Sequence, residues 1–448
     1  MSIRHAMTAL GLLLAAGAVA ARAGQGDANW PQFRGPRGDG TTASEKLPLT
    51  WSESENVVWK TPIEGRGWSS PVVWGKQVWM TTATPDGKVM SVVCADADSG
   101  RIVHNIKLFE NADPAPVNPL NSYASPTPCI EAGRVYVHFG TYGTACLDTA
   151  TGKTLWQRRD LHCDHGVGPG SSPVLDGGRL YLLFDGMDVQ FVIALDAATG
   201  KTVWNTPRSV KFPNNTGDFH KAFSTPLLID TPAGRQLVAA GAEFAMAYDP
   251  LSGRELWRVQ YPGGYSTASR PVMVAGLVLV NSGFNRPKVM AVRPDGKGDV
   301  TATHVAWSLD RVGANKPSPA VVDGLVYFLH DGGTLACCDG KTGQAVWRDR
   351  LGGSFSASPI AAPGRIYFFD DRGTTTVIAP GGSEMKTLAT SKLDAGCMAS
   401  PAIIGDAMFL RTKTHLYRIE ERAKKHQTIS TKPACRQAGL PFFRLVLV

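Results

Sequence analysis

An all-β fold, an eight-bladed β-propeller of four-stranded antiparallel blades, is predicted for this 448-residue chain by three observations. The first is a repeat. A residue followed by proline opens a unit at Ser70-Pro71, Ser125-Pro126, Ser172-Pro173, Thr225-Pro226, Arg270-Pro271, Ser318-Pro319, Ser358-Pro359 and Ser400-Pro401. Self-similarity at such a period is the mark of stacked or circular repeat folds, and eight openings imply eight units. The second is a closing hairpin of fixed form, Val192 to Trp204 (VIALDAATGKTVW), which returns as Cys146 to Trp156, Tyr248 to Trp257 and Cys338 to Trp347, with Trp307 ending a looser copy. The third is an exchange between the chain ends. The unit begun at Ser400 lacks a fourth strand, while Asn56 to Lys60 reads as an outer strand with no unit before it. Joining the two closes the array into a ring, which leaves only short, protected strand edges.

Within one unit each element has a local cause. In the third, Ser171 to Val174 and Arg179 to Phe184 are short apolar strands joined by the turn Asp176-Gly177-Gly178. Val192 to Leu195 is the third strand. Asp196 then accepts hydrogen bonds from turn amides, Gly200 supplies the positive φ the turn requires, and the fourth strand carries Trp204. The recurring aspartates Asp96, Asp148, Asp196, Asp249 and Asp339 are therefore read as turn caps rather than acids or bases. Trp59, Trp156, Trp204, Trp257, Trp307 and Trp347 recur at one position of the repeat, as packing between blades requires and a single ligand site does not.

Outside the repeats the chain divides into three segments. Residues 1–23 carry Arg4 and His5 before an apolar run from Ala9 to Ala20 and end in small residues, the pattern of a secretory signal peptide too short to span a membrane. Residues 24–55, rich in Gly, Pro, Arg and Asp, form an extended segment packed on the propeller through Trp30, Phe33 and Trp51. Residues 56–420 are the propeller, and 421–448 form a basic tail with no blade pattern. The formal charge of +8 sits mostly in Arg4, Arg22 and that tail, so the propeller is nearly neutral and nothing points to nucleic acid. A periplasmic or secreted monomer is expected, with no lipid-anchoring cysteine near the cleavage region and no transmembrane anchor.

The Ser-Pro opening, the Asp-x-x-Thr-Gly-Lys turn and the Trp resemble the pyrroloquinoline-quinone (PQQ)-type repeat of quinoprotein-like propellers, over roughly Asn56 to Glu420. Trp30-Pro31-Gln32-Phe33-Arg34-Gly35-Pro36 with Asp39-Gly40 is similar to the start of secreted bacterial members. The resemblance implies the fold. It leaves function open, because the superfamily holds quinone-dependent dehydrogenases beside non-catalytic scaffolds such as the outer-membrane assembly factor. Quinoprotein alcohol dehydrogenases carry an adjacent-cysteine disulfide at the cofactor. Here Cys337-Cys338 fall on a strand just before Asp339, where Cys94, Cys146 and Ala194 also align, so they are read as packing residues. Cys129, Cys163, Cys397 and Cys435 have no spacing that dictates a pair.

Function is sought where one unit departs from its siblings. Arg270 replaces the hydroxyl residue found before the other opening prolines, on the strand nearest the ring axis. His162, Asp164, His165, Asp218, His220, Lys221, Tyr265 and Lys316 lie on loops leading into neighbouring units. Arg270, His165, His220, Lys221, Lys316, Asp164 and Asp218 are expected to converge on one mouth of the channel as a site for a protein, a peptide or a small anionic ligand, with Asp164 or Asp218 as candidate partners of Arg270. No metal-ligand spacing and no catalytic residues are assigned. Asp185 and Asp188 are read as carboxylates of a solvated turn. The reading that follows is a non-catalytic binding or scaffolding propeller. The alternative implied by the resemblance is a quinone-dependent alcohol or sugar dehydrogenase with PQQ and calcium at the channel, although neither the long inter-blade insertions of those enzymes nor a Cys-x-x-Cys-His haem motif is found.

Overall fold

A computed structural model describes residues 27–421 apart from 209, 213–215 and 285–286; the signal peptide read over 1–23 and the tail beyond 421 lie outside the described residues. Eight antiparallel sheets succeed one another along the chain. The third shows the pattern, Val174–Asp176, Arg179–Asp185, Gln190–Asp196 and Thr202–Pro207 pairing in chain order. Its middle strands are buried along most of their length, which explains why Leu180 to Phe184 and Val192 to Leu195 read as continuous apolar runs, while Thr202, Val203 and Asn205 on the fourth strand face outward. Two sheets carry a fifth strand: Asn29–Trp30 pairs with Val72–Trp74 in the first, and Gly298–Asp299 pairs in parallel with Glu255–Gln260 in the fourth.

Val57–Pro62 pairs antiparallel with His415–Ile419, with Lys60 opposite Tyr417, and so forms the outer strand of the eighth sheet. The innermost strands are tied sideways by a necklace of hydrogen bonds in which each opening residue donates its backbone N–H to the opening hydroxyl of the next blade. Seven such links are made: Ser70 to Thr127, Thr127 to Ser172, Ser172 to Thr225, Arg270 to Ser318, Ser318 to Ser358, Ser358 to Ser400 and Ser400 to Ser70. The proline that follows has no N–H to strand in this crowded interior. The necklace corrects one register. The second unit opens at Thr127-Pro128, with Cys129–Glu131 following as Val174–Asp176 follows Pro173, whereas Ser125 bonds locally to Asn121 at 2.6 Å. Two Xaa-Pro dipeptides in tandem fit the period equally well, and only the lateral bond distinguishes them.

The recurring tryptophans bridge blades. The indole N–H of Trp59 donates to Ala97, Trp156 to Ala197, Trp204 to Pro250 and Trp307 to Gly340, each a carbonyl in the turn of the next blade. Each ring also lies on the glycine of that turn. A Cβ at Gly200 would stand 2.6 Å from the Trp156 ring, so this glycine meets a steric demand as well as its φ of +71°. Asp196 caps its turn through Thr199, with Oδ1 accepting from the backbone N–H at 2.8 Å and the hydroxyl at 2.7 Å.

Asp185 departs from expectation. It is buried and paired with Arg208 at 2.7 and 2.9 Å rather than solvated, because it ends the second strand while the exposed Asp188 occupies the turn. All seven described cysteines are free and buried, Cys337 and Cys338 within a strand.

The N-terminal segment does more than lie over the ring: it bonds to the innermost strands from inside. Asn29 and Trp30 pair with Trp74 and Val73, Pro31 O accepts from Ile130 N, and Gly40 O accepts from Ala361 N. Arg34 is buried and donates to the carbonyls of Ser318 and Pro319. Trp51 stacks on Tyr367 with ring centroids 6.3 Å apart.

Candidate ligand-binding cup

The loops that lead into the inner strands, together with Phe33 of the N-terminal segment, surround a cavity of about 510 Å³. Its wall holds six necklace residues, Ser70, Thr127, Ser172, Thr225, Ser358 and Ser400, and Phe33 contributes to its floor. Above them the lining mixes aromatic faces (Trp68, Phe223, Tyr265, Phe284) with carboxamides (Asn118, Asn121, Asn315) and charged groups (Asp218, Lys221, Lys316, Asp331). Phe219, Tyr265 and Phe284 form an aromatic row with centroid separations of 4.6 and 5.6 Å, and Phe284 is 52% exposed. An apolar wall with a few convergent polar groups is the usual constitution of a small-molecule site.

The predicted residues divide. Lys221, Lys316 and Asp218 line the cup. The Lys221 ammonium is already engaged: it contacts the Asp218 carboxylate, donates to the Asp218 carbonyl at 3.1 Å and lies 5.7 Å from the Tyr265 ring centroid. Burial holds its pKa below the usual lysine value, an effect that Asp164 partly opposes. Lys316 differs. Its backbone N–H donates to Asp331 Oδ1 at 3.1 Å, but its ammonium makes no ion pair or hydrogen bond among the described residues. Asp331 also accepts from Asn315 Nδ2 at 2.8 Å, so it shapes the loop rather than neutralising the lysine.

Asp164 and His165 do not reach this mouth. With His162, Cys163 and Asp188 they line a separate pocket of about 410 Å³ beside Thr141 and Tyr142. His165 is fixed there as an acceptor, Nε2 receiving the Thr141 N–H at 3.1 Å, and burial pushes its pKa down to about 4. His220 stacks on Phe212 with centroids 4.1 Å apart and is not part of the cup lining. Arg270 lies behind the wall. Its guanidinium is buried and donates to Pro226 O at 3.1 Å and Phe33 O at 2.7 Å, so neither Asp164 nor Asp218 is its partner. Burial, reinforced by Arg34, lowers its pKa to about 9, and the carboxylate that opposes this is Asp39 of the N-terminal segment. Convergence is partial, for a geometric reason. Loops of different length place equivalent sequence positions at different radii and heights.

The sequence reading missed Trp68, Asn118, Phe223, Phe284, Asn315, Asp331 and the floor residue Phe33. Trp68, Asn118, Phe223 and Asn315 share one signal, a place on the same loops upstream of the opening prolines as Tyr265 and the charged candidates. No group of three or more His, Cys, Asp or Glu residues among the described residues is placed to hold a metal ion.

The family described as "Outer membrane protein assembly factor BamB" matches residues 49–243 and 246–380. Outer membrane protein assembly factor BamB of Yersinia pestis is 24% identical over 217 residues, 46% of this chain and 51% of that protein. Quinoprotein ethanol dehydrogenase of Pseudomonas putida is 30% identical over 148 residues, 30% of this chain and 23% of that protein. The chain thus spans about half the length of the first curated relative and about a quarter of the second. Among solved structures, quinohemoprotein alcohol dehydrogenase from Comamonas testosteroni superposes with a TM-score of 0.62 at 13% identity, covering 91% of this chain and 82% of that one, which shows a shared fold.

Proposed function

The chain belongs to the family described as outer membrane protein assembly factor BamB, within the PQQ-repeat propellers, and from that premise we propose that it is an exported, non-catalytic binding or scaffolding propeller whose cup holds an anionic group. The ligand class is a small carboxylate with an apolar body, or an acidic peptide terminus presented by a partner. The observation that carries this reading is Lys316, a cation in the wall of an aromatic-lined cavity with no anion of its own among the described residues. A carboxylate there would gain a charge-assisted hydrogen bond while its body packed against Tyr265 and Phe284. No helix among the described residues is long and apolar enough to cross a membrane.

The quinone-dependent alternative asks for a different set of donors. Quinone carboxylates would find Lys316, but the calcium that accompanies them takes about six to eight oxygen ligands, carboxylates prominent among them. The cup supplies Asp218, already against Lys221, and Asp331, already holding the 315–316 loop. With both carboxylates of the cup engaged, this donor set supports the binding reading over a calcium–quinone pair.

Thermal-shift screening and calorimetry with naphthalene-2,6-dicarboxylate, citrate and a carboxylate-terminated peptide test the proposal. Binding by wild type and a loss of roughly 10-fold or more in Lys316→Ala are expected, as for one charge-assisted hydrogen bond. Stoichiometric binding of PQQ with calcium, accompanied by dye-linked alcohol oxidation, would overturn the reading.

A further inference from the structure

Seven hydroxyl oxygens accept the lateral N–H bonds of the necklace, and none of these hydroxyls donates its own proton among the described residues. A hydroxyl has one donor beside its two lone pairs, and the proton turns about the Cβ–O bond to meet an acceptor. Each oxygen already holds a backbone N–H, which polarises the O–H and makes it the stronger donor. All seven residues are buried, so the unused protons are a cost until something in the channel accepts them.

Six of the seven line the cup. In ring order they belong to the seventh, eighth, first, second, third and fourth blades, a continuous arc whose midpoint is the 2.9 Å bond from Ser70 N–H to Thr127 Oγ1. The fifth blade opens with Arg270, which has no hydroxyl, and Ser318 of the sixth is not in the lining. In a ring of eight, the junction of the fifth and sixth blades stands opposite the junction of the first and second. The loop at that opposite junction carries Lys316. The cup is therefore two-sided, with an ammonium on one side and an arc of hydroxyl donors on the other.

The potential around the floor favours an anion over water. Two buried guanidinium groups, Arg270 on the Phe33 carbonyl and Arg34 on the carbonyls of Ser318 and Pro319, are opposed by one carboxylate, Asp39. The two carboxylates of the lining lie away from the midpoint of the arc: Asp218 is on the loop into the fourth blade, and Asp331 is in the sixth.

We propose that the cup takes a two-ended ligand, a dianion with one acid group on Lys316 and a second oxyanion group on the hydroxyl arc around Ser70 and Thr127, its apolar body bridging the two above Phe33. The inference rests on the reading of Lys316 given above and adds the far end of the ligand. An oxyanion accepts several O–H donors at once, and such bonds are stronger than those between neutral partners.

Calorimetric titration with naphthalene-2,6-dicarboxylate and naphthalene-2-carboxylate, which differ only in the second acid group, reads the arc separately from the lysine. Wild type should bind the diacid roughly 10-fold or more tightly than the monoacid. Lys316→Ala should weaken both probes. In Ser70→Ala the ratio of the two affinities should fall toward one, a ratio that a general loss of folded protein does not move. Ser70→Thr keeps the hydroxyl, as Thr127 and Thr225 do natively, and should keep the preference. Equal affinity of wild type for the two probes would overturn the arc and leave the reading of Lys316 standing, whereas binding of neither would remove both. A crystal structure of the diacid complex with water along the arc, and the second carboxylate away from Ser70 and Thr127, would also overturn the proposal.

Discussion

The backbone N–H of Ser400 donates to Ser70 Oγ at 3.1 Å across 330 residues of chain, joining the inner strand of the eighth blade to that of the first. The bond is one of the seven lateral links, so its energetics can be probed at any member. Each hydroxyl serves a buried backbone donor that has no other acceptor within its sheet.

Removing one such acceptor should be costly where the register is right and mild where it is not. Thr127→Val leaves the Ser70 N–H unpaired and should destabilise by about 1–3 kcal/mol. Ser125→Ala removes a local bond to Asn121 and should fall well below that. Denaturant melts of the two variants check the order; the reverse order would return the opening to Ser125-Pro126.

Asp185 and Arg208 form a buried pair, and breaking it differs from replacing it. Asp185→Leu alone strands a guanidinium and should lower stability by roughly 3–5 kcal/mol, while Asp185→Leu with Arg208→Met should recover most of the loss. A double-mutant cycle measures the coupling. A double variant as unstable as the single one would mean that packing rather than charge sets the penalty.

Acid should unfold this protein partly through two histidines, the buried His138 and the half-buried His165. Burial pushes the pKa of His138 down to about 3, with His165 adding to the effect, and that of His165 down to about 4. The unfolded chain therefore binds protons that the folded chain refuses, and stability falls as pH drops from the ordinary histidine range toward 4. Melting temperature against pH should decline over that window. His165→Gln should flatten the slope, and an unchanged slope in both His165→Gln and His138→Gln would place the acid sensitivity elsewhere.

Gly38 has φ +69°, and a Cβ there would lie 2.4 Å from Arg270 Nη1. Gly177 has φ +53° with nothing within 4 Å of its Cβ position. Gly177→Ala should show only the left-handed strain, about 1–2 kcal/mol. Gly38→Ala should exceed it and raise hydrogen exchange over residues 29–41, because Arg270 must yield its bond to Phe33. Equal effects would show that the segment accommodates the methyl group freely.

The repeat period, the Asp-capped hairpin and the recurring tryptophan are local patterns, so the blades, their number and the loan of Val57–Pro62 to the last blade were legible in the residues themselves. Arg270 was legible as an exception for the same reason: it breaks a pattern seven other units keep. What Arg270 touches was not. Its partner Phe33 lies 237 residues away on a segment without periodicity, and no rule of spacing brings that carbonyl to that nitrogen. The same holds for Asp164 and His165, sorted into a side pocket while Lys221 and Lys316 line the cup, and for Asp185, which differs from Asp188 only in being the last strand residue rather than a turn residue. Strand pairing is set by alternation and turns within some 40 residues; the radius and height at which a loop presents a side chain is set by every blade it packs against, and only tertiary structure decides that.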